Sequence, residues 1–113
     1  MMMLESGQFT LYATFLAHEG KYAEMEAICR ETLALTIAAP GVTQAICLEP
    51  PKPEKPFVFM SVWDSKDDFQ AFLKSPPMQV FHSQTAIQQM FDTAMQDATA
   101  DFYTVMDAWV TPH

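Results

Sequence analysis

The run at residues 57–63, FVFMSVW, is apolar on both faces of any strand it forms. Successive side chains of a strand point to opposite faces. Phe57, Phe59 and Trp63 therefore share one face, and Val58, Met60 and Val62 share the other. A strand wetted on one side alternates apolar with polar residues. This one does not, so it demands cover on both sides. Residues 8–18, QFTLYATFLAH, repeat the feature in a stretch rich in aromatic and β-branched types. Phe9, Leu11, Ala13, Phe15 and Ala17 fall on one face; Thr10, Tyr12, Thr14, Leu16 and His18 fall on the other. Neither face is strongly polar.

The remaining elements follow from periodicity and punctuation. Gly20 ends the first strand. Residues 21–38 read as a helix, since Tyr22, Met25, Ile28, Cys29 and Leu35 recur at three- and four-residue steps. Pro40-Gly41 stops it. Residues 42–49 suit a second strand. Residues 49–56 then form a connecting loop dominated by the prolines of PPKPEKP, which cannot join a ladder. Ser65-Lys66-Asp67-Asp68 fits a helix start, with a Ser cap and an acid three residues on. Phe69, Phe72 and Leu73 continue that helix. Pro76-Pro77 interrupts it, and proline suits the first turn of a new helix. That next helix is expected over residues 77–96, with Val80, Ile87, Phe91 and Met95 as its apolar stripe. Residues 101–110, DFYTVMDAWV, are expected to be the fourth strand.

The element order βαββααβ predicts an α+β fold of ferredoxin-like type with a four-stranded antiparallel sheet. Helices cover one face. The other carries Tyr12, Leu16, Val58, Met60 and Val62. The simplest cover is the same sheet of a second subunit, packed face to face, which makes a homodimer and a dimeric α+β barrel. The 113 residues suit one domain, 1–113, with residues 1–7 expected to be flexible. Half of the residues are hydrophobic and only 18% are charged, more apolar surface than so small a body can hide alone. Nine Met and nine Phe point to an interface or a ligand cavity, because Met fills irregular apolar space.

Charge excludes whole classes of partner. The net charge is −8, with six Lys and Arg together. Such a chain is repelled by phosphate backbones and by anionic membrane surfaces, so neither nucleic acid nor membrane is an expected partner. No apolar run approaches the roughly 20 residues that span a bilayer. Residues 1–7 hold neither a basic segment nor a long apolar stretch, so no secretory signal is expected there. Cys29 and Cys47 lack the spacing of a disulfide framework or a zinc site. They read as buried apolar residues, which fits a reducing cytoplasm. The chain has no paired His at ligand spacing and no Gly-rich phosphate loop, so no metal or cofactor is expected.

Residues 57–82, FVFMSVWDSKDDFQAFLKSPPMQVFH, carry a resemblance. A strand ending in Trp63-Asp64-Ser65, a short helix, then Leu73-x-Ser75-Pro76 and an apolar helix resembles the antibiotic biosynthesis monooxygenase family. The resemblance implies a dimeric α+β barrel. It also implies a cofactor-independent monooxygenase that oxidises a quinol or polycyclic phenol with dioxygen in an apolar pocket between sheet and helices. A deprotonated hydroquinone is electron-rich enough to reduce dioxygen, so the protein need only bind it, take a proton and exclude water. One branch of the family degrades haem with an Asn, a Trp and a His. His82 falls where that branch has its His, Phe72 where it has Trp, and Ala13 near its Asn. This chain contains no Asn, which predicts no haem degradation by that route. The quinol-oxidising members often carry His at the positions of Phe72 and Pro77, and both are absent here.

His82 is the candidate catalytic proton acceptor, since imidazole titrates near neutral pH. It points away from the Val80, Ile87, Phe91 stripe on an ideal helix, so it faces either solvent or the pocket mouth. Phe15, Trp63, Phe72, Met78 and Phe81 are the candidate substrate-binding residues, with core packing as their alternative. His18 reads as a solvated turn residue and His113 as a disordered terminal one. Asp64, Asp67 and Asp68 read as capping acids. Two alternatives stand beside the enzyme: a non-catalytic dimer that binds a small apolar aromatic ligand on the same scaffold, and a haem-binding protein using His82 as axial ligand.

Overall fold

The computed structural model describes residues 4–83, 88, 89, 92 and 94–112. Among them the order is β1 (Phe9–Ala17), α1 (Tyr22–Ile37), β2 (Val42–Leu48), β3 (Phe57–Trp63), α2 (Lys66–Leu73), α3 (Pro76–Ser83) and β4 (Met95–Thr104). The strands form one sheet in the order β2-β3-β1-β4. Every neighbouring pair is antiparallel. This is the expected ferredoxin-like α+β fold.

Register fixes what each face carries. Leu11 pairs with Ser61 and with Phe102, and Ala13 pairs with Phe59 and with Ala100. The helix-facing side therefore holds Phe9, Leu11, Ala13, Phe15 and Ala17 of β1, as the alternation predicts. Phe57, Phe59, Ser61 and Trp63 of β3 stand beside them. Two buried clusters form on this side. One joins Trp63, Phe69, Phe72, Met78 and Phe81. The other joins Ala17, Met25, Ile28, Cys29 and Phe57. Burying a residue of this size contributes about 1.5–3 kcal/mol.

The helix starts are local chemistry. Ser65 is extended (φ −152°) and its Oγ accepts the backbone N–H of Asp68 at 3.1 Å. Its hydroxyl donates to Asp68 Oδ2 at 3.0 Å. The first bond satisfies one of the N–H groups that the first turn leaves unpaired, and the second ties the two side chains together. The bend into β2 uses Gly41 at φ +86°, where a Cβ would stand 2.5 Å from Asp68 Cγ. Both the conformation and the space exclude a side chain there.

The last strand differs from expectation. The helix α3 is described over Pro76–Ser83, residues 88, 89, 92 and 94 are helical too, and Met95 opens β4. Ile87 and Phe91 of the expected stripe lie outside the described residues, as does His113. The strand begins six residues earlier than expected and ends at Thr104. The polar run 96–101 can be a strand because β4 is an edge strand and exposed nearly throughout. Pairing reaches one residue further, through Val105 N–H to the Gln8 carbonyl at 2.9 Å and Gly7 N–H to the Val105 carbonyl at 2.8 Å. Beyond it, Met106, Trp109 and Val110 are exposed. Among the described residues no helix is long and apolar enough to cross a membrane.

Candidate functional site

The helices stand off the sheet enough to leave a cavity of about 550 Å³ on its inner side. Leu11, Ala13 and Phe15 of β1 and Phe59 and Ser61 of β3 form its floor. Ile28, Thr32 and Thr36 of α1 form one wall. Phe69, Phe72 and Leu73 of α2, with Met78 and Phe81 of α3, form the other. Ala98, Ala100 and Phe102 of the edge strand β4 border the remaining side and are themselves exposed. The volume lies in the range of small-molecule sites, which are mostly apolar with a few placed polar groups.

Five of the six residues singled out in the sequence lie on this cavity: Phe15, Phe72, Met78, Phe81 and His82. Phe72, Met78 and Phe81 are buried, and Phe15 is half-buried. His82 is exposed and stands at the rim. Its ring centroid is 5.5 Å from that of Phe81. Its backbone carbonyl accepts from Gln88 Nε2 at 2.9 Å. Trp63 is fully buried behind this wall and does not line it. Its ring packs against Phe72 at 5.1 Å and against Phe69 at 5.6 Å.

The cavity's polar groups were not anticipated. Thr32 Oγ1 donates to the Ile28 carbonyl at 2.9 Å, and Thr36 Oγ1 to the Thr32 carbonyl at 2.7 Å. Both hydroxyls are thus engaged with their own helix, a common alternative to solvent for Thr in a helix interior. Ser61 is different. It is 1% exposed, and its Oγ accepts the Trp63 indole N–H at 2.9 Å. The sequence did hold a signal for it, as the one polar residue in phase with Phe57, Phe59 and Trp63.

The thiols lie at the other end of the inner face. Cys29 is buried, and Cys47 Sγ donates to its carbonyl oxygen at 3.4 Å. Burial pushes the Cys29 thiol up to about 12, helped by nearby Cys47 and Glu26. Burial also raises Cys47, against the lowering effect of Arg30. Thiolate is the reactive form, so both are inert near neutral pH. Among the described residues no group of three or more His, Cys, Asp and Glu side chains is placed to hold a metal ion.

The profile of the antibiotic biosynthesis monooxygenase family matches residues 8–84. No curated protein matches the chain in sequence. Several solved structures share the fold. PA3566 from Pseudomonas aeruginosa is 17% identical, with 92% of this chain and 99% of that one covered at a TM-score of 0.74. SO0527 from Shewanella oneidensis is 15% identical, with 94% and 98% covered at 0.73. SnoaB from Streptomyces nogalater, a cofactor-independent oxygenase, is 21% identical, with 96% and 100% covered at 0.66.

Proposed function

The chain belongs to the antibiotic biosynthesis monooxygenase family, and on that premise we propose that it is a cofactor-independent monooxygenase acting on a quinol or polycyclic phenol. The observation that carries this reading is the inner cavity: about 550 Å³, walled by aromatic and aliphatic side chains, with one imidazole, that of His82, at its rim. Such a space fits a flat, apolar, multi-ring substrate, whose rings displace water from its walls. His82 takes the phenolic proton. The phenolate passes an electron to dioxygen, and the two radicals combine at a ring carbon. The C–H proton at that carbon is then lost, its electron pair forms the carbonyl as the O–O bond breaks, and the other oxygen leaves as water. The substrate loses four electrons and dioxygen gains four. SnoaB, which shares the fold, is itself a cofactor-independent oxygenase.

The outer sheet face supports a homodimer in the same reading. Tyr12, Met60 and Tyr103 line an apolar hollow there, and the Tyr12 and Tyr103 rings meet edge to face at 6.4 Å. Thr10 Oγ1 is buried on this face and makes no hydrogen bond among the described residues. A second copy packed on the face covers the apolar groups.

Oxygen uptake tests the activity. Hydroquinones and anthrones are supplied to the purified protein without added metal or flavin. Uptake that is lost in His82→Ala is the expected result. No uptake alongside saturable aromatic binding favours a non-catalytic binder, a reading that the exposure of His82 supports. A Soret shift with hemin, lost in the same variant, makes His82 an axial ligand instead.

A further inference from the structure

Four hydroxyl-bearing residues line the cavity; Thr99 pairs with the Thr14 hydroxyl, and the other three differ in what their hydroxyls do. Thr32 and Thr36 donate to carbonyls of α1. Ser61 receives a proton instead, from the Trp63 indole N–H at 2.9 Å. Indole nitrogen can only donate, so this bond occupies an Oγ lone pair and leaves the Ser61 O–H undirected. Among the described residues that bond is the one Ser61 Oγ makes. Both partners are almost completely buried, at 1% and 0% exposure. Bulk water therefore does not satisfy the hydroxyl, and Ser61 is one of the residues that line the cavity. A buried donor without an acceptor is unfavourable, and a ligand oxygen removes that penalty.

We infer that Ser61 is the hydrogen-bond donor that fixes the oxygen of the bound aromatic, with Trp63 as its positioning residue. The inference rests on reading the cavity as an aromatic site, and it adds which atom orients the ring. The acceptor is a ketone or phenolate oxygen. Either is directed to the floor of the cavity beside Phe59 and Leu11, while the ring system lies against Phe72, Met78 and Phe81. A preorganised donor on that oxygen also favours charge developing there, which is how a phenolate is held ready to react. Trp63 restricts the hydroxyl rotor by holding its lone pair. It never touches the ligand.

Two ring systems of the same shape test this. 9-Fluorenone and fluorene differ in a carbonyl against a methylene, and their dissociation constants are measured by calorimetry. The wild-type protein is expected to bind the ketone about ten-fold more tightly. Ser61→Ala should bring the two constants together by weakening the ketone alone. Trp63→Phe, which keeps a ring but loses the N–H, should give an intermediate ratio with fluorene binding unchanged. A purely structural role would weaken both probes alike. Should Ser61→Ala fail to fold, Ser61→Cys gives the same comparison, because a thiol is a far weaker donor. Equal binding of the two probes to the wild type, or a preference that survives at Ser61→Ala, overturns the role of Ser61 and leaves the cavity reading standing. Failure of both probes to bind the wild type overturns the cavity reading and this inference with it.

Discussion

Phe81 and His82 are consecutive on α3, with ring centroids 5.5 Å apart, yet Phe81 is 3% exposed and His82 stands in solvent at the cavity rim. The helix thus separates packing from chemistry between neighbours. Phe81→Ala is expected to cost about 3–5 kcal/mol of stability, because it empties a closed aromatic cluster. His82→Ala should change stability by less than about 1 kcal/mol and lower turnover by about 10²–10⁴, the usual worth of a positioned proton acceptor. Thermal unfolding and oxygen uptake on both variants separate the two effects. Equal losses of stability would remove the distinction.

The outer face makes a second prediction. Met60 lies on β3, near the middle of the sheet, and its partners Tyr12 and Ile46 are also on the outer side. A lysine at this position buries an unpaired ammonium if the face is covered and only meets water if it is not. Met60→Lys should therefore convert a dimer to a monomer with its helix and strand content kept. Sedimentation equilibrium of both proteins is the measurement, and a monomeric wild type would end the dimer reading.

Much of this was legible in the sequence because strands impose a strict alternation. The inward set from Phe9 to Ala17 could be read directly, as could the Ser65 cap. The boundary near Met95 could not. Met95 follows Phe91 by four residues and so continues a helical stripe on paper, while the alternation of Gln96–Asp101 rests only on the small Ala98 and Ala100. Alanine is a weak apolar signal, and it suffices here because β4 is exposed nearly throughout. The cavity was only half visible. Phe72, Met78 and Phe81 could be named from spacing, but whether they fill the space or line it depends on how far α2 and α3 stand off the sheet. No local pattern carries that distance. Ser61 is the opposite case. It shares a face with Trp63 two residues on, so their contact was within reach of the sequence, but its meaning came only with the void beside it.

The turn before β2 and the start of α2 are coupled through Asp68, which makes a third prediction. Ser65→Ala removes an Oγ that both accepts from and donates to Asp68. The expected cost is about 1 kcal/mol, within the 0.5–2 range for such caps. Gly41→Ala should cost more, since its φ of +86° is strained for alanine and the new Cβ falls against the same aspartate. Denaturant midpoints should fall in the order wild type, Ser65→Ala, Gly41→Ala. The reverse order for the two variants would show that Asp68 moves aside easily.

The buried thiol makes the last prediction, on alkaline pH. Cys29 is held as the neutral thiol, raised from 9.0 to about 12, chiefly by burial. The folded chain therefore keeps this proton at a pH where the unfolded chain has released it. Its contribution to stability is complete below pH 9.0 and is lost as pH rises towards about 12. Cys29→Ala has no thiol to ionise. It should be somewhat less stable at neutral pH, because a small cavity replaces the sulfur, yet lose less stability between these limits. Lys and Tyr side chains titrate in the same window, so the informative quantity is the difference between the two proteins. Urea midpoints taken from pH 7 to pH 11 should converge. Parallel curves would mean that the Cys29 proton is held no more tightly in the fold than in the open chain.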